Sequence, residues 1–598
     1  MKKFRPAALV AGISALALTL SGCAAPEELT PTPTASETNA EVTLEPLITV
    51  AWNDIIDNFN TSSASGNNTA NAVATYFTGS GFNYYNNDPA LVKNTDFGTY
   101  EIVNEDPLTV KYTINDEVVW SDGTPVDGAD MALAWAALFG FGGTPDGDLF
   151  LHANTRETLA SKTPTVDGKS LTFEYDVQFV DWELVFGVGV SAHGTVMMAY
   201  PEITDPAEAK TKLVEAISNG DIEWLTPVAE VWNTGYQSAN TPANPLVSLS
   251  MGQYVVEELV EEQYVTLVAN PLFTWGPLPK YERVTIRQIA DSTAAVQAVD
   301  NGEIQIASGQ PTADILALVQ ALQNAEYAGG DESVYEHVDL TFNNGGPFDP
   351  TSYDDPETAR LVRQAFLLTV PRNEIVDKLI KPLNPNATVR SSAMFIPGSP
   401  GYDEAAAKYD LFAGTDEENR AKAAELLAEA GVSTPIEVGF WYPEGNVRRG
   451  QEFELIKLSA DSVGFNVVDE SEPNWEFTDP SINPINPHDA VIFAWQSTSL
   501  AVSGSDQIFS TDKNSNFNGY SNPEVDALLA ELDTALDPAR QLEIKVAVDG
   551  LLAEDGYGVT IFQFPGLTWW DKDVSNVSNS VLSPNYFWNF WEWTPTAG

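Results

Sequence analysis

The chain carries the stretch Val118-Val119-Trp120-Ser121-Asp122-Gly123-Thr124-Pro125-Val126 between a strand pattern and a helix pattern. Before it, apolar and polar residues alternate from Leu108 to Ile114, which is typical of a half-buried strand. Within it, Ser121 to Pro125 is rich in turn formers, and the residues from Asp127 to Phe139 then follow a helical pattern. We therefore expect a strand, a short return, a tight turn and a helix, in this order.

The same two patterns alternate along the rest of the chain, without a strict βαβ repeat and without an internal repeat. Polar caps, often followed by proline, mark the helix starts, and short apolar runs mark the strands. The predicted helices begin at the caps Asp355, Thr415, Asn522 and Asp537 and end at about Thr369, Gly431, Leu536 and Leu552; the predicted strands are a hairpin from Tyr254 to Val268 and the runs Ile436 to Trp441, Ala490 to Trp495 and Val559 to Phe564. These elements favour a mixed α/β protein with more than one lobe.

The C-terminal run from Tyr586 to Trp593 is strongly aromatic. Such a composition is compatible with a platform on which sugars or bases stack. A run of this kind more often forms a strand buried against the core, and we expect the buried strand here.

The first residues predict export. Basic residues at positions 2, 3 and 5 precede an apolar run from Ala7 to Leu20, as in a signal peptide. The run is shorter than the roughly 20 apolar residues of a transmembrane helix. It ends in Leu20-Ser21-Gly22-Cys23, which resembles the lipobox of bacterial lipoproteins. We therefore expect residues 1–22 to be a signal peptide and Cys23 to carry the lipid that holds the chain on the outer face of the membrane. The alternative is an ordinary signal peptide with a chance cysteine.

The composition, the net charge and the single cysteine limit the possible functions of the chain further. Residues 23–46 are rich in Thr, Pro, Glu and Ala, so we expect a disordered spacer there. The chain has 85 acidic and 29 basic residues, a net charge of −56, which repels nucleic acid and anionic lipid surfaces. We expect no nucleic-acid partner. We also expect a lipid, rather than a basic surface patch, to attach the protein to the membrane. Because Cys23 is the only cysteine, the chain forms no internal disulfide and no cysteine-based metal or redox site.

Motifs for nucleotide, metal and catalytic chemistry are missing from the sequence. The four histidines are far apart, and no phosphate-binding loop is present. The stretch from Gly189 to His193 lacks the second glycine of a nucleophile elbow. Asp512 begins like a calcium loop, but Phe517 and Pro523 stand where that loop needs Gly and Glu. We therefore expect a protein that is not an enzyme and that has no catalytic residue, metal or cofactor.

Six segments, in order between about Ile48 and Trp593, resemble the peptide-binding branch (family 5, cluster C) of the solute-binding proteins of ABC importers. They are Val118 to Val126; Gly252-Gln253-Tyr254 with Ala269-Asn270-Pro271 and Trp275; Ala298-Val299 with Gly302-Glu303-Ile304; Leu340-Thr341-Phe342-Asn343 with Arg360 to Ala365 and Pro371-Arg372; Ala424 to Gly431; and Asp489-Ala490 to Trp495 with Asn518 to Asp526. Each segment is weak alone, but their shared order is specific.

The resemblance implies a two-lobed α/β fold like the type II periplasmic binding proteins (cluster C), with a hinge, an extra domain and a discontinuous first lobe. It assigns residues 47–82, 241–335 and 565–598 to the first lobe, 83–240 to the extra domain and 336–564 to the second lobe. It also implies that a peptide-like solute is enclosed between the lobes and delivered to the permease subunits of an ABC importer. We expect the protein to act as a monomer.

In the family, an extended peptide pairs with a strand of the second lobe, and the matching stretch here is Ala494-Trp495-Gln496-Ser497. Trp495 is expected to form an apolar wall, or else to be a plain core residue. Relatives often place an Asp three residues after this tryptophan to hold the ammonium end of the ligand, whereas this chain has Thr498. We expect Asp506 to substitute for it. Asn343, Phe59 and Asn60 complete the predicted ligand-binding set.

Two other interpretations stay open. Within the same fold, the solute is a small sugar, a nickel complex, a modified peptide or another non-peptide, although scarce histidine and the lack of a usable cysteine argue against nickel. From another class, the chain is an exported hydrolase, whose activity a single substitution in the cleft should abolish, or an adhesin, which should lack an enclosed pocket.

Overall fold

The computed structural model describes residues 45–87, 90–143, 147–156, 159–309, 311–472, 487–496, 501–513 and 515–596. Cys23, the predicted signal peptide and nearly all of the predicted spacer lie outside these residues, although the first strand already begins at Glu45. None of the helices in the described ranges has the length and apolar character needed to cross a membrane.

Strands and helices are numbered along the chain. The strands are β1 Glu45–Trp52, β2 Asn83–Tyr85, β3 Leu91–Lys93, β4 Gly98–Glu105, β5 Leu108–Ile114, β6 Thr165–Asp167, β7 Ser170–Glu174, β8 Tyr254–Val260, β9 Tyr264–Ala269, β10 Tyr281–Gln288, β11 Ile306–Ser308, β12 Ala325–Leu340, β13 Ile436–Trp441, β14 Phe465–Asp469, β15 Ala490–Gln496, β16 Gly558–Asp571, β17 Val574–Ser575 and β18 Thr594–Pro595. The α-helices are α1 Thr69–Thr78, α2 Gly128–Leu138, α3 Ala192–Ala199, α4 Pro206–Asn219, α5 Ile222–Thr234, α6 Ser292–Asp300, α7 Ala313–Ala321, α8 Pro356–Thr369, α9 Arg372–Ile375, α10 Tyr402–Ala406, α11 Asp416–Ala430, α12 Val447–Asp461, α13 Asp506–Phe509, α14 Pro523–Leu532 and α15 Pro538–Asp555.

One ten-stranded sheet runs through the molecule in the order β14-β13-β15-β12-β16-β11-β1-β10-β9-β8. Its two central strands, β12 and β16, pair antiparallel along nearly their whole length. At one end β11 joins the sheet through β16, and at the other end β15 joins it through β12. The two halves of the sheet are therefore linked through β12 and β16, which makes this pair of strands the hinge between two lobes.

Three bodies each have their own hydrophobic core. Lobe I forms around β1 and β8 to β11, with α1, α6 and α7 packed on them. Lobe II forms around β13, β15 and the second half of β12, with the helices from α8 to α15. The extra domain packs the four-stranded sheet β4-β5-β7-β6 against α2 to α5. This confirms the predicted two-lobed α/β fold with an extra domain, while the domain boundaries themselves stay a prediction.

The predicted strand, turn and helix around Trp120 are confirmed. α2 begins after its N-cap Asp127, and Gly123 adopts a φ of +86°, a conformation that favours glycine. Ser121 N–H donates to Ser250 O at 2.7 Å, and Ser250 N–H donates to Ser121 Oγ at 3.1 Å. The turn therefore fastens the extra domain to lobe I.

The second of the six resembling segments lies directly beside this turn. Asn270 Nδ2 donates to Gly252 O at 3.0 Å, and Trp275 Nε1 donates to Met251 O at 3.0 Å. Both tryptophans of these segments are fully buried. These contacts give both segments a structural role in joining the extra domain to lobe I.

The predicted helix caps are confirmed, and some element ends differ. The side chains of Asp355, Thr415, Asn522 and Asp537 each accept a backbone N–H in the first turn of α8, α11, α14 and α15. α14 ends at Leu532, before the predicted Leu536, and α15 continues to Asp555. β16 extends to Asp571, beyond the predicted Phe564, because it continues through the hinge into lobe I.

The aromatic tail is a 3-10 helix over Asn585–Glu592 with a kink at Asn589, so the predicted strand is wrong. The rings of Tyr586, Phe587, Phe590 and Trp593 are buried in the lobe I core, where Phe590 stacks on Phe77 at 4.0 Å. Burial of the tail was predicted correctly, and only its element type was not.

Candidate functional site

The strand directions place a crevice between the two lobes. β1, β10 and β11 of lobe I run parallel to one another and toward lobe II. β13, β14 and β15 of lobe II run in the opposite direction, toward lobe I. In α/β sheets, ligands bind outside the carboxyl ends of the strands, where the strand order switches. The candidate site therefore lies between the carboxyl ends of these two strand sets, beside the hinge.

β15 presents a backbone edge to this crevice. On one side, β12 pairs with the full length of β15. On the other side, β13 pairs with Ala490 and Val491, and within the part of the chain that the structure describes no strand covers the stretch from Ile492 to Gln496. Alternate main-chain groups of that stretch point away from β12. An extended ligand can pair with these groups as an added strand.

An aromatic wall, formed by Trp441, Phe493, Trp495 and Phe517, lines the same end of β15. Trp495 is half-buried and stacks on Phe517 with ring centroids 5.6 Å apart, and Phe493 meets it edge-on at 5.2 Å. Trp441 stacks on His488 at 5.1 Å. Among the described residues, Trp495 Nε1 has no hydrogen-bond acceptor. The wall thus combines a broad apolar surface with an unpaired donor.

The extra domain contacts lobe II beside this wall and is itself bonded to lobe I at the same place. Ser515 Oγ, close to Phe517 in the chain, donates to Ala153 O of the extra domain at 3.2 Å. Ala153 N–H in turn donates to Ser62 O of lobe I at 2.9 Å. All three bodies therefore contribute to the surroundings of the candidate site.

Three of the predicted site residues lie on the edge of β15. They are Ala494, Trp495 and Gln496, the last described here by its main chain. Ser497 lies outside the described residues, so the predicted four-residue stretch is described up to Gln496. Trp495 belongs to a small aromatic cluster at the end of β15 and is only partly packed by it, which fits a wall better than a core position.

The other predicted residues are held by contacts within the protein. Asn343 follows β12 and packs closely against Gly519. A Cβ atom added to residue 519 would lie 2.2 Å from Asn343 Nδ2, so only glycine fits beside this side chain. Phe59 is buried in the lobe I core, and Asn60 Nδ2 donates to Trp232 O at 2.7 Å. A ligand-binding role for Asn343, Phe59 and Asn60 stays a prediction.

Asp506, the predicted substitute for the missing aspartate, lies at the start of α13. Its carboxylate accepts hydrogen bonds from Ser510 Oγ at 2.7 Å and from Gln507 Nε2 at 2.8 Å. The residue is 9% exposed, so little of the carboxylate faces solvent. Thr498 lies outside the described residues, and the way the ammonium end of a ligand is held stays a prediction.

The hinge carries a carboxylate of its own. Glu332 of β12 packs closely against Gly566 of β16. A Cβ atom added to residue 566 would lie 2.6 Å from Glu332 Oε1. Burial raises the pKa of Glu332 to about 7, and the nearby Arg448 acts in the opposite direction. Glu332, with its raised pKa, therefore lies on the strand pair that links the two lobes.

Phe517 is the member of the wall that the sequence did not identify as a site residue. In the sequence it stands out as the residue that breaks a calcium-loop pattern, and nothing in its spacing relates it to Trp495. One signal was available. Phe517 is a large ring between Asn516 and Asn518, outside the predicted helices and strands, and binding residues are disproportionately common in loops.

Comparison with known proteins identifies the family and agrees with the fold. The model of the bacterial extracellular solute-binding proteins, family 5 (middle part), matches residues 89–517. An uncharacterized lipoprotein of Mycobacterium leprae is 25% identical over 553 residues, covering 90% of this chain and 91% of that protein. The oligopeptide-binding protein OppA of Mycobacterium tuberculosis is 23% identical over 576 residues, covering 92% and 88%. The structure of the periplasmic EDTA-binding protein EppA superposes with a TM-score of 0.72 at 22% identity, covering 94% of this chain and 100% of that one. The chain belongs to the bacterial extracellular solute-binding proteins of family 5.

Proposed function

We propose that this protein encloses a peptide-like solute between its lobes and delivers it to the permease subunits of an ABC importer, without making or breaking bonds in the solute. The observation that carries the proposal is the backbone edge of β15 from Ile492 to Gln496, beside the aromatic wall. A peptide matches such an edge because its own main chain offers N–H and C=O groups at strand spacing. The relative named as an oligopeptide-binding protein supports this choice.

The same edge accounts for tolerance of varied sequences. Pairing through the main chain gives affinity without reading side chains. Water in the crevice can fill the space that a short side chain leaves. Trp495 and Phe517 add apolar contact on one side of the bound chain.

A non-peptide solute is the second candidate, and one observation favours it. Thr498 stands where peptide-binding relatives often have an aspartate, and Asp506 is already engaged within α13. A charge-assisted hydrogen bond is roughly twice as strong as a neutral one, so an ammonium group loses much of its anchor. The EDTA-binding protein has the same fold, and a sugar, a nickel complex or a modified peptide belongs to this second candidate. Membership of a family of binding proteins leaves the hydrolase and adhesin interpretations without support.

Native mass spectrometry of the purified protein, followed by release and sequencing of whatever is bound, separates the two candidates. We expect a mixed population of peptides. Recovery of one non-peptide molecule would contradict the peptide part of the proposal and leave transport intact.

Trp495→Ala should weaken binding of the recovered peptides at least about fivefold, as for other central aromatic contacts. Trp588→Ala, which removes a half-buried tryptophan from the C-terminal tail, is the control and should bind as the wild type does.

Lipid on Cys23 is the proposed membrane anchor, and the relative named as a lipoprotein supports it. A tether of this kind keeps the binding protein at high effective concentration over its membrane partner. Cys23→Ser should release the protein into the medium and impair uptake, while the solute affinity of the purified protein stays unchanged. Cell fractionation and an uptake assay measure this, and retention of the Cys23→Ser protein on the membrane would contradict it.

A further inference from the structure

Among the contacts between the extra domain and lobe II, the carboxylate of Asp181 accepts several hydrogen bonds at once. Asp181 is 3% exposed and follows β7 in the chain. Its Oδ1 accepts Val502 N–H at 3.0 Å, and its Oδ2 accepts Ser503 N–H at 2.7 Å together with the Ser503 hydroxyl. Three donors of lobe II therefore converge on one buried side chain of the extra domain.

Two further hydrogen bonds flank this carboxylate. Gln507 Nε2 of lobe II donates to Thr155 O of the extra domain at 2.9 Å. Val180 N–H of the extra domain donates to Asp533 O of lobe II at 2.9 Å. The contact surface is thus continuous on both sides of Asp181, and these bonds must break before lobe II can move away from the extra domain.

Val502 and Ser503, which are bonded to Asp181, follow the proposed solute-binding strand closely in the chain. Ser503 precedes α13 and shortly follows β15, whose end carries Trp495. Further along the same segment, Phe517 stacks on Trp495, and Ser515 is bonded to Ala153. Asp181 therefore holds the start of the segment that supplies Phe517 to the aromatic wall.

We propose that Asp181 is a positioning residue that keeps lobe II against the extra domain while a solute is bound, and that it sets how slowly the solute leaves. This proposal rests on the proposed function for its solute, but its geometry is independent of what the solute is. Hydrogen bonds to a carboxylate are stronger than neutral ones. Because they form only when the two bodies are in contact, their loss should act mainly on dissociation and little on association.

Asp181→Asn is the appropriate test because it keeps the size of the side chain. The new amide group would place a donor against donors of Val502 or Ser503. We expect a fluorophore-labelled pentaalanine peptide to dissociate at least about tenfold faster from the Asp181→Asn protein, with an association rate within about twofold of wild type. Asp176→Asn is the matched control, because Asp176 accepts Ser161 N–H within the extra domain.

A second readout does not need a solute. Cys23 is the only cysteine, so Cys23→Ser with Lys162→Cys and Leu458→Cys gives one dye pair across the contact, at exposed sites of the extra domain and lobe II. Asp181→Asn should lengthen the mean dye distance at an unchanged melting temperature. Ser503→Ala, which removes one donor, should shift it less in the same direction.

The outcomes separate this proposal from the function on which it rests. If Asp181→Asn leaves both the dissociation rate and the dye distance at wild-type values, or if Asp176→Asn changes them equally, Asp181 has no positioning role. If the wild-type protein binds no peptide but Asp181→Asn still lengthens the dye distance, the peptide assignment fails and the role of Asp181 stands.

Discussion

Four donors converge on the carboxylate of Asp130, a residue with no exposure to solvent. Trp120 Nε1 donates at 3.2 Å, Asp127 N–H at 2.9 Å, Ala192 N–H at 2.8 Å and Lys210 Nζ at 2.7 Å. One side chain thus holds the indole of the turn, the start of α2, the start of α3 and a buried lysine.

Asp130→Ala should lower the free energy of unfolding by about 3 kcal/mol, because it leaves buried N–H donors without their acceptor and leaves buried Lys210 paired with the more exposed Asp127, at 3.2 Å. Denaturant unfolding followed by tryptophan fluorescence measures this loss. Asp167→Ala removes an exposed acid from the same domain and should change stability by less than about 0.5 kcal/mol. Equal losses in the two variants would show that the hydrogen bonds and the ion pair of Asp130 contribute no more to stability than an exposed acid does.

The turn itself was predictable from the sequence, but this cluster was not. Ser121 to Pro125 is a local signal, since each residue favours a turn through its own backbone preferences. Ala192 and Lys210 lie 62 and 80 positions from Asp130. No local pattern relates residues so far apart, so the reason for a tryptophan at position 120 becomes visible only in the folded protein.

At the scale of elements, β15 was predictable as a strand, and its free edge was not. The apolar run from Ala490 to Trp495 predicts the strand, and the family resemblance selects it as the ligand-binding one. Among the described residues, the edge is free because β13 pairs with β15 at Ala490 and Val491 and no strand continues beside the rest. That register depends on three strands from separate parts of the chain. The contacts of Phe517 and Asp181 have the same origin in tertiary packing.

The C-terminal 3-10 helix allows a prediction about a whole element. Phe590 is buried and stacks on Phe77 at 4.0 Å. Phe590→Ala should therefore lower the free energy of unfolding of lobe I by about 3–5 kcal/mol. Trp588→Ala removes a half-buried ring from the same helix and should cost clearly less. Thermal unfolding compares the two variants, and equal midpoints would mean that the tail does not belong to the lobe I core.

Over the whole molecule, part of the acidic excess stabilises helix starts. Six aspartates accept a backbone N–H in the first turn of α2, α4, α5, α6, α8 and α15: Asp127, Asp205, Asp221, Asp291, Asp355 and Asp537. Each satisfies a free N–H group and places negative charge at the positive end of the helix dipole. The net charge of −56 is therefore partly structural, beyond its effect on solubility.

One buried acid, Asp533, lies where the extra domain and lobe II meet. Asp533 caps the carboxyl end of α14, where the helix dipole disfavours a negative charge. Burial, with smaller contributions from Asp506 and Asp181, raises its pKa to about 7 against the opposing effects of Arg156 and Lys513. Arg156 Nη1 is 3.8 Å from Asp533 Oδ1, too far for a hydrogen bond. Burial therefore outweighs the ion pair, and the neutral acid fits this contact better than the carboxylate.

The sign of the pH effect follows from this raised pKa. Between the usual value of 3.8 and about 7, the folded protein holds a proton on Asp533 that the unfolded chain has lost. Stability from this group is therefore full below about pH 4 and is lost as the pH rises through 7, by up to about 4 kcal/mol. The free energy of unfolding, measured from pH 5 to pH 8, should decline in the wild-type protein, and Asp533→Asn should reduce this decline.

Glu332 and Asp549, with pKa values raised to about 7 and about 6, titrate in both proteins, so the difference between the two curves isolates Asp533. Asp403→Asn, at an exposed position of lobe II, should follow the wild-type curve, and an Asp533→Asn curve parallel to wild type would show that Asp533 is ionised in the folded protein at every pH tested.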